Sequence, residues 1–279
     1  MSEELTKKVE QAVKLIQLAG SDGDVVEVAY SGGKDSDVIL ELTKMAGIKY
    51  RAIYKDTTID PPGTLAHVTE AGAEIVKPKK TFFQLVGQKG FPSRFVRFCC
   101  SELKEYKILD RCIIGVRRAE SVARSKRYKE PTMCLSYGSK KEHVDALYPI
   151  LEWTDEDIAE FITSRGIKCH PIYYDEHGLF RVERRLGCMC CPLVSKNKRI
   201  EEFKKYPGMV IAYLRAGQKY IDTHPETEFA KRYNSIYAAF VRFLFYDRDR
   251  DFKQNYLGMF TAPDYKDFLE NYFKIKIKL

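Results

Sequence analysis

The chain has 279 residues and a mass of 32.3 kDa, with 44% hydrophobic, 31% charged and 13% aromatic residues and a formal net charge of +8. That length suits one large domain or a core domain with an extension, and the apolar share supplies a real core, which excludes a disordered chain. No apolar run approaches the roughly 20 residues that span a bilayer, and the opening MSEELTKKVEQ lacks the apolar stretch of a signal peptide; the expectation is a cytoplasmic protein that meets no membrane.

Residues 3–19 place Leu5, Val9, Ala12, Val13 and Ile16 at helical spacing and predict an amphipathic opening helix, ended by Asp22-Gly23. Residues 25–30 (VVEVAY) are a short, β-branched apolar run and predict a strand. SGGKDS follows at 31–36, and Val38, Ile39, Leu42 and Met45 then fit a helix. Residues 50–54 predict the next strand, and Pro61-Pro62 lead into a helix over 63–71. A short strand is expected at 74–76, a helix at 81–86, and further strands at 112–116 (CIIGV) and 146–151. Thr154 opens the helix TDEDIAEFITSRG, with a threonine cap, acids in its first turn and Gly166 at its end.

Strands alternating with helices over about 150 residues predict an α/β fold with an open, mostly parallel twisted sheet and flanking helices. From residue 197 the pattern changes, with Phe203, Tyr213, Tyr220, Tyr237, Phe240, Phe243 and Phe245 recurring in helical runs. Residues 1–195 are therefore expected as the α/β domain, and residues 196–279 as a helical extension packed on it.

The charge and the cysteines are unevenly placed. Residues 77–129 hold fifteen Lys/Arg against four Asp/Glu, a local balance of +11, so the rest of the chain is net negative. Five of eight cysteines fall in two tight groups, FCC at 98–100 and GCMCCP at 187–192. In a reducing compartment such groups point to metal ligands or redox chemistry rather than disulfides. Cys112, Cys134 and Cys169 are isolated, and Cys112 beside Ile113 and Ile114 reads as a small buried hydrophobe. His143, His170 and His177 lie in polar or turn-like stretches and read as surface or loop residues.

Strand, SGGKDS, helix is a specific local arrangement. Gly32 and Gly33 let the backbone approach a phosphate closely, and the helix that follows directs its N–H groups and positive dipole end at the anion. Ser31, Ser36 and Lys34 add donors, and Asp35 can hold Mg²⁺ against the phosphates. The motif is neither GxxxxGK[ST] nor GxGxxG. YSGGKDS after an apolar strand resembles the pyrophosphate loop of the adenine-nucleotide α-hydrolase fold, shared by ATP pyrophosphatases and sulfonucleotide reductases. YKDTTIDPP at 54–62, RFCCSELK at 97–104, IGVRRAESVAR at 114–124 and YPILEWTDEDI at 148–158 follow in the order of the phosphoadenosine-phosphosulfate (PAPS) reductase-like branch. The resemblance covers about residues 25–195 and makes the α/β domain a nucleotide-binding one. It implies that Ser31, Gly32, Gly33, Asp35 and Ser36 hold the phosphates and metal, that Asp56 and Thr57 lie near the adenosine, and that Arg117 and Arg124 face phosphoryl oxygens. Lys34, Asp35 and Arg117 are the residues it points to for catalysis, and planar guanidiniums suit such oxygens on chemical grounds as well.

Cys99 and Cys100 with the CxxC of Cys188 and Cys191 resemble the [4Fe-4S] set of adenylylsulfate (APS) reductases, and four thiolates suit such a cluster. A Cys₄ zinc site is the alternative. Cys190 is a spare, an alternative ligand or a reactive thiol. The reductases of this family carry a catalytic cysteine in a Glu-Cys-Gly-hydrophobic-His segment near the C-terminus, whereas no cysteine follows Cys191 here. The leading expectation is therefore an iron–sulfur ATP pyrophosphatase or adenylating enzyme in sulfur transfer or nucleic-acid modification, using ATP (or PAPS/APS), Mg²⁺ and a [4Fe-4S] cluster. Its partners would be an adenine nucleotide and either a nucleic-acid acceptor or a protein of a modification complex. A thioredoxin-dependent sulfonucleotide reductase with a displaced thiol, and a non-catalytic nucleotide-binding subunit, are the competing expectations.

Overall fold

A computed structural model of the chain describes residues 1–137, 142–233, 235–246 and 264–279. The strands are β1 (Val26–Ala29), β2 (Tyr50–Lys55), β3 (Glu74–Val76), β4 (Arg111–Ile113), β5 (Thr132–Tyr137) and β6 (Glu142–Leu147). They form one sheet in the order β3-β2-β1-β4-β6-β5, parallel throughout except for β5, which runs antiparallel to β6. The helices in chain order are α1 (Glu3–Ala19), α2 (Lys34–Ala46), α3 (Thr64–Glu70), α4 (Phe82–Lys89), α5 (Phe98–Leu103), α6 (Val122–Arg127), α7 (Asp155–Arg165), α8 (Lys196–Lys205), α9 (Pro207–Thr223), α10 (Glu228–Arg232), α11 (Ile236–Phe245) and α12 (Tyr265–Phe273). This is the open, mostly parallel α/β sheet with flanking helices that the sequence predicts. Among the described residues no helix is long and apolar enough to cross a membrane.

Strand β1 explains why VVEVAY carries no polar alternation. Val26, Glu27 and Val28 are all buried, as expected of a central parallel strand covered on both faces. Val26 and Val28 pack with Leu5, Val9 and Ile16 of α1 and with Val38, Ile39 and Leu42 of α2 in the main core. From β1 the chain runs to β2 and β3 on one side, then returns to β4 on the other. The crevice beyond the carboxyl ends of β1 and β4 is therefore a topological switch point, the place where open α/β sheets bind ligands.

Three elements differ from the sequence reading. The strand expected over 112–116 spans Arg111–Ile113, because Val116 N–H turns back to the Ile114 carbonyl at 2.9 Å and leaves the ladder. The strand expected over 146–151 is displaced to Glu142–Leu147. Buried Tyr148, Ile150 and Leu151 belong to two successive turns, closed by Leu151 N–H on Tyr148 O and Trp153 N–H on Ile150 O. Strand β5 was not expected, since it lies at the sheet edge with alternate exposed residues and no strong apolar run.

The chain forms two compact units, one of Met1–Pro78 with Ser101–Gly187 and the other of Lys79–Cys100 with Cys188–Leu279. The sequence reading instead drew one boundary between residues 195 and 196. The second unit takes in an early segment because the aromatics of that segment complete its core. Phe82 of α4 lies 5.6 Å from the ring of Tyr213, and Phe91 lies 5.2 Å from Phe243. Phe203, Tyr213, Phe240 and Phe243 pack with them in edge-to-face, tilted and stacked pairs, with the ring separations usual for aromatic clusters. Residues 234 and 247–263 of the expected helical extension lie outside the described residues.

Helix α7 shows how local sequence sets an element in place. Thr154 and Asp157 form a capping box, and Asp157 also bonds Lys8 of α1 at 2.8 Å. Thr154→Ala should lower the free energy of urea unfolding by about 1 kcal/mol. The Asp157 carboxyl sits below its usual range even though burial opposes this, because Lys8 and the cap donors favour the charged form. Its folded pKa is depressed, so its stabilisation is present above the ordinary value of 3.8 and is lost as pH falls through the folded value. The stability deficit of Asp157→Asn against wild type should accordingly be full at pH 7 and disappear in strong acid, as followed by urea titrations across that range.

Candidate functional site

The loop between β1 and α2 is shaped by its own short side chains. Gly32 has φ +74°, a left-handed conformation that glycine adopts without strain. Ser36 Oγ donates to Gly33 O at 2.7 Å, and Gly33 N–H donates to Ser31 Oγ at 3.4 Å. Gly33 caps α2 without a side chain; the Lys34 N–H bonds the Tyr173 hydroxyl, and the positive end of the helix dipole faces the loop. Tyr173 and Leu186 lie over one side of the loop, and Thr64 and Val68 flank Gly32. Lys34 is 3% exposed, with Nζ 3.4 Å from Asp35 Oδ2 and 5.4 Å from the centre of the Tyr173 ring.

Asp35 and Arg117 tie this loop to the segment after β4. Arg117 is 1% exposed; its Nε donates to Asp35 Oδ1 at 2.6 Å, one terminal nitrogen to Asp155 Oδ1 at 2.6 Å and the other to Trp153 O at 3.3 Å. The arginine predicted to face phosphoryl oxygens thus spends three of its N–H groups on protein partners and acts as a clamp. Gly115 makes the approach of the two segments possible, since a Cβ there would stand 2.9 Å from Asp35 O. Both carboxylate oxygens of Asp35 face cations, Oδ1 meeting Arg117 and Oδ2 meeting Lys34. Asp35 is therefore not arranged as the Mg²⁺ ligand the sequence suggested.

Arg124, on α6, pairs with Glu120, whose other contacts are Arg117 N–H and, through its carbonyl, Arg185. Burial, then the neighbouring Arg185 and Arg117, lower the Arg124 pKa, while Asp35 opposes them. Arg185 and Glu120 were not singled out in the sequence.

Asp56 and Thr57, expected near the adenosine, make local bonds just after β2. Asp56 accepts the Thr58 N–H at 2.7 Å, and Thr57, 1% exposed, donates its hydroxyl to Asp60 at 2.7 Å. A cavity of about 210 Å³ is lined by Ser31 of the loop, Tyr54, Asp60, Tyr106, Tyr137 and the buried Glu27. Glu27 is matched by Lys55, whose Nζ lies 3.3 Å away and also donates to Tyr106 O at 2.7 Å. None of these carried a sequence signal beyond the apolar strand that contains Glu27.

A second buried network lies at the base of α2. Tyr30 OH donates to Asp37 Oδ1 at 2.5 Å, and His67 Nε2 lies 2.9 Å from the same oxygen. Burial raises the Asp37 carboxyl pKa, while His67, Tyr30 and Cys169 counter it. His170, read as a loop residue, is 2% exposed: its Nδ1 accepts the Ile172 N–H at 3.0 Å, and its ring stands edge-on to His67. Burial and the neighbouring His67 lower its pKa. His143 and His177 are exposed, as expected.

All eight cysteines lie among the described residues and none forms a disulfide. Cys99, Cys100, Cys188 and Cys191 belong to the second unit. The Cys99 thiol is pushed up by its hydrogen bond with Cys100, by burial, and by Cys191 and Cys188, so the structure brings the four thiols into one neighbourhood. Among the described residues no three His, Cys, Asp or Glu side chains are arranged to hold a metal. The donor set fits a metal cluster in kind, because a cation among four thiols favours the thiolate form that their crowding opposes. Cys190 is fully buried with φ +56°; its N–H donates to Glu202 at 2.7 Å, and burial raises its pKa. It lacks the exposure and the depressed pKa of a reactive thiol. Cys112 and Cys169 are buried elsewhere, and Cys134 is exposed on β5.

Removing the clamp should be costly. Arg117→Met should lower the urea unfolding free energy by about 3 kcal/mol, because it removes a buried cation that joins Asp35, Asp155 and the Trp153 carbonyl and leaves Asp35 with Lys34 alone. Gly115→Ala should cost roughly 1–3 kcal/mol by forcing the loop away from the segment after β4. Equal stability of either variant and wild type would contradict the clamp.

Residues 26–194 match the family model of the phosphoadenosine phosphosulfate reductase domain. Among curated proteins, the chain is 33% identical over 149 residues to an uncharacterised 37.8 kDa protein of Escherichia phage 186, covering 48% of this chain and 42% of that one. It is 26% identical over 224 residues to an uncharacterised protein of Methanocaldococcus jannaschii, covering 74% and 51%. The chain thus spans about half the length of the curated relatives it matches. Solved structures with a similar course include the FMN adenylyltransferase of Candida glabrata (TM-score 0.41, 14% identity, 61% of this chain and 58% of that one). The PAPS reductase of Candida auris gives 0.40, 13%, 61% and 90%, and the U34-tRNA thiolase NcsA of Methanococcus maripaludis with its [4Fe-4S] cluster gives 0.41, 15%, 80% and 82%. Likeness at that level carries no argument about activity. The family model, which covers well over half of the chain, does settle its kinship: the chain belongs to the phosphoadenosine phosphosulfate reductase domain family.

Proposed function

We propose that the chain is a nucleotide-using enzyme that cleaves ATP between the α- and β-phosphates and adenylates an acceptor oxygen, in a sulfur-transfer or nucleic-acid modification reaction. The observation that carries this reading is the loop of Ser31–Gly33 and Lys34 at the switch point, set on the N-terminus of α2, with the guanidiniums of Arg124 and Arg185 gathered on Glu120 after β4. The cavity on the strand ends, walled by tyrosines and sharing Ser31 with the loop, is suited to the flat base of the nucleotide.

In the reaction, the acceptor oxygen attacks the α-phosphorus while the bond to the pyrophosphate oxygen breaks, so negative charge grows on the leaving pyrophosphate. The α2 N-terminus, Ser31 Oγ and Lys34 stabilise that charge with donors fixed before the reaction begins. Arg117 keeps Lys34 and the loop in register through Asp35 and need not touch the nucleotide. Tyr173 and Leu186 screen the loop from water on one side. Because Asp35 is engaged by two cations, no step is assigned to Mg²⁺.

Cys99, Cys100, Cys188 and Cys191 would hold a [4Fe-4S] cluster, which when bound supplies electron transfer or a site for sulfur. The competing reductase reading needs a nucleophilic thiol, and the burial of Cys190 counts against that residue.

The anaerobically purified chain should release pyrophosphate from ATP and no sulfite from PAPS with thioredoxin, and Lys34→Ala should slow pyrophosphate release roughly 100-fold. Sulfite production would sink the proposal in favour of the reductase, and tight ATP binding without turnover in favour of a binding subunit. Iron analysis should give about four irons per chain, lost in Cys99→Ser; stoichiometric zinc without iron would replace the cluster by a zinc site.

A further inference from the structure

The segment Lys79–Cys100 holds five Lys/Arg and no Asp/Glu, and it ends in a turn that presents an aromatic ring to solvent. Ser93 Oγ accepts the N–H groups of Phe95 and Val96 at 3.2 and 3.0 Å, while Ser93 N–H donates to Val96 O at 3.0 Å. These bonds close a turn with Arg94 and Phe95 at its tip. Phe95 is 93% exposed and Val96 57%. Arg94 donates to Val194 O at 3.1 Å, which fastens the turn to the residues just before α8. The first turn of α8 carries exposed Lys196 and Lys198, where the helix dipole favours acids over cations. A phenyl ring held outward by three hydrogen bonds, among cations with no acid in its own segment, combines a stacking platform with charge complementary to a polyanion.

We propose that this turn seats an unpaired polynucleotide strand, with a base stacked on Phe95 and neighbouring phosphates neutralised by Arg97, Lys196 and Lys198. Stacking is tolerant of sequence because every base has a π-face, and basic side chains track the backbone. Neither contact reads the 2′-hydroxyl, so RNA and DNA single strands bind alike. The inference rests on the acceptor half of the proposed function and is independent of its nucleotide half.

The test uses the full chain without ATP and fluorescein-labelled 20-nucleotide oligo-U and oligo-dT, followed by anisotropy. Both strands should bind, with Phe95→Ala weakening them about tenfold or more and Arg97→Gln reducing the salt slope by about 0.7. Phe95→Trp should keep the affinity and report stacking by quenching, because the natural Trp153 is 2% exposed and the chain has no other tryptophan. Pyrophosphate release from ATP should be unchanged in the Phe95 variants, and oligonucleotide binding unchanged in Lys34→Ala, so either reading can fail without the other. Absence of binding, or binding by Phe95→Ala at wild-type affinity, would overturn the proposal. Self-association abolished by Phe95→Ala without oligonucleotide binding would assign the turn to a second copy of the chain instead.

Discussion

The contact between Arg117 and Asp35 is the constraint on which the candidate site depends. Two segments leave the sheet at its switch point, one after β1 that enters α2 at Lys34 and one after β4, and no strand pairing joins them there. Arg117 supplies the missing link by donating to Asp35, Asp155 and the Trp153 carbonyl at once. A planar fork of donors can satisfy partners in several directions, which the compact ammonium of a lysine cannot do with the same geometry. Burying this charge carries a desolvation cost that only well-made partners offset. The arrangement therefore works as a register lock more than as a source of stability.

Around that lock, buried charges are resolved one by one. Glu27, in the middle of the central strand, is met by Lys55 from the next strand. Asp37, one turn into α2, is met by Tyr30 and His67. Both carboxylates lie close under the loop in sequence, and each is held by a partner from a neighbouring element. The loop thus rests on polar contacts that are sensitive to geometry, whereas the opposite side of β1 rests on Val26, Val28 and the helices of the main core.

The sequence revealed what has a short-range signature. The strand, loop and helix over residues 25–46 show their periodicity and glycines within one window, and the paired cysteines stand out by spacing. The clamp was less legible because Arg117 meets Asp35 across 82 positions, and nothing local tells a buried arginine from a phosphate-facing one. Asp60 carried no such signal, although it takes the Thr57 hydroxyl and lines the cavity, because a lone acid after a strand looks like any turn residue. His170 lay in a stretch that looks solvent-facing, yet its burial follows from Thr64 and His67 on α3, far away in the chain. Strand β5 has the weak alternation typical of an edge, which a search for apolar runs passes over.

The discontinuous second unit has a consequence for how the chain is made. Helix α4 packs on α9, and Phe82 and Phe91 find their ring partners at Tyr213 and Phe243. A ribosome adding roughly 5–20 residues per second needs on the order of ten seconds to pass from α4 to α9. For that interval the aromatic segment has emerged while the helices that cover it do not yet exist. The nascent chain carries its own unfinished hydrophobic surface, flanked by lysines and arginines, through the synthesis of β4, β5 and β6. Biosynthesis, rather than the finished fold, is where this protein most needs protection from its neighbours.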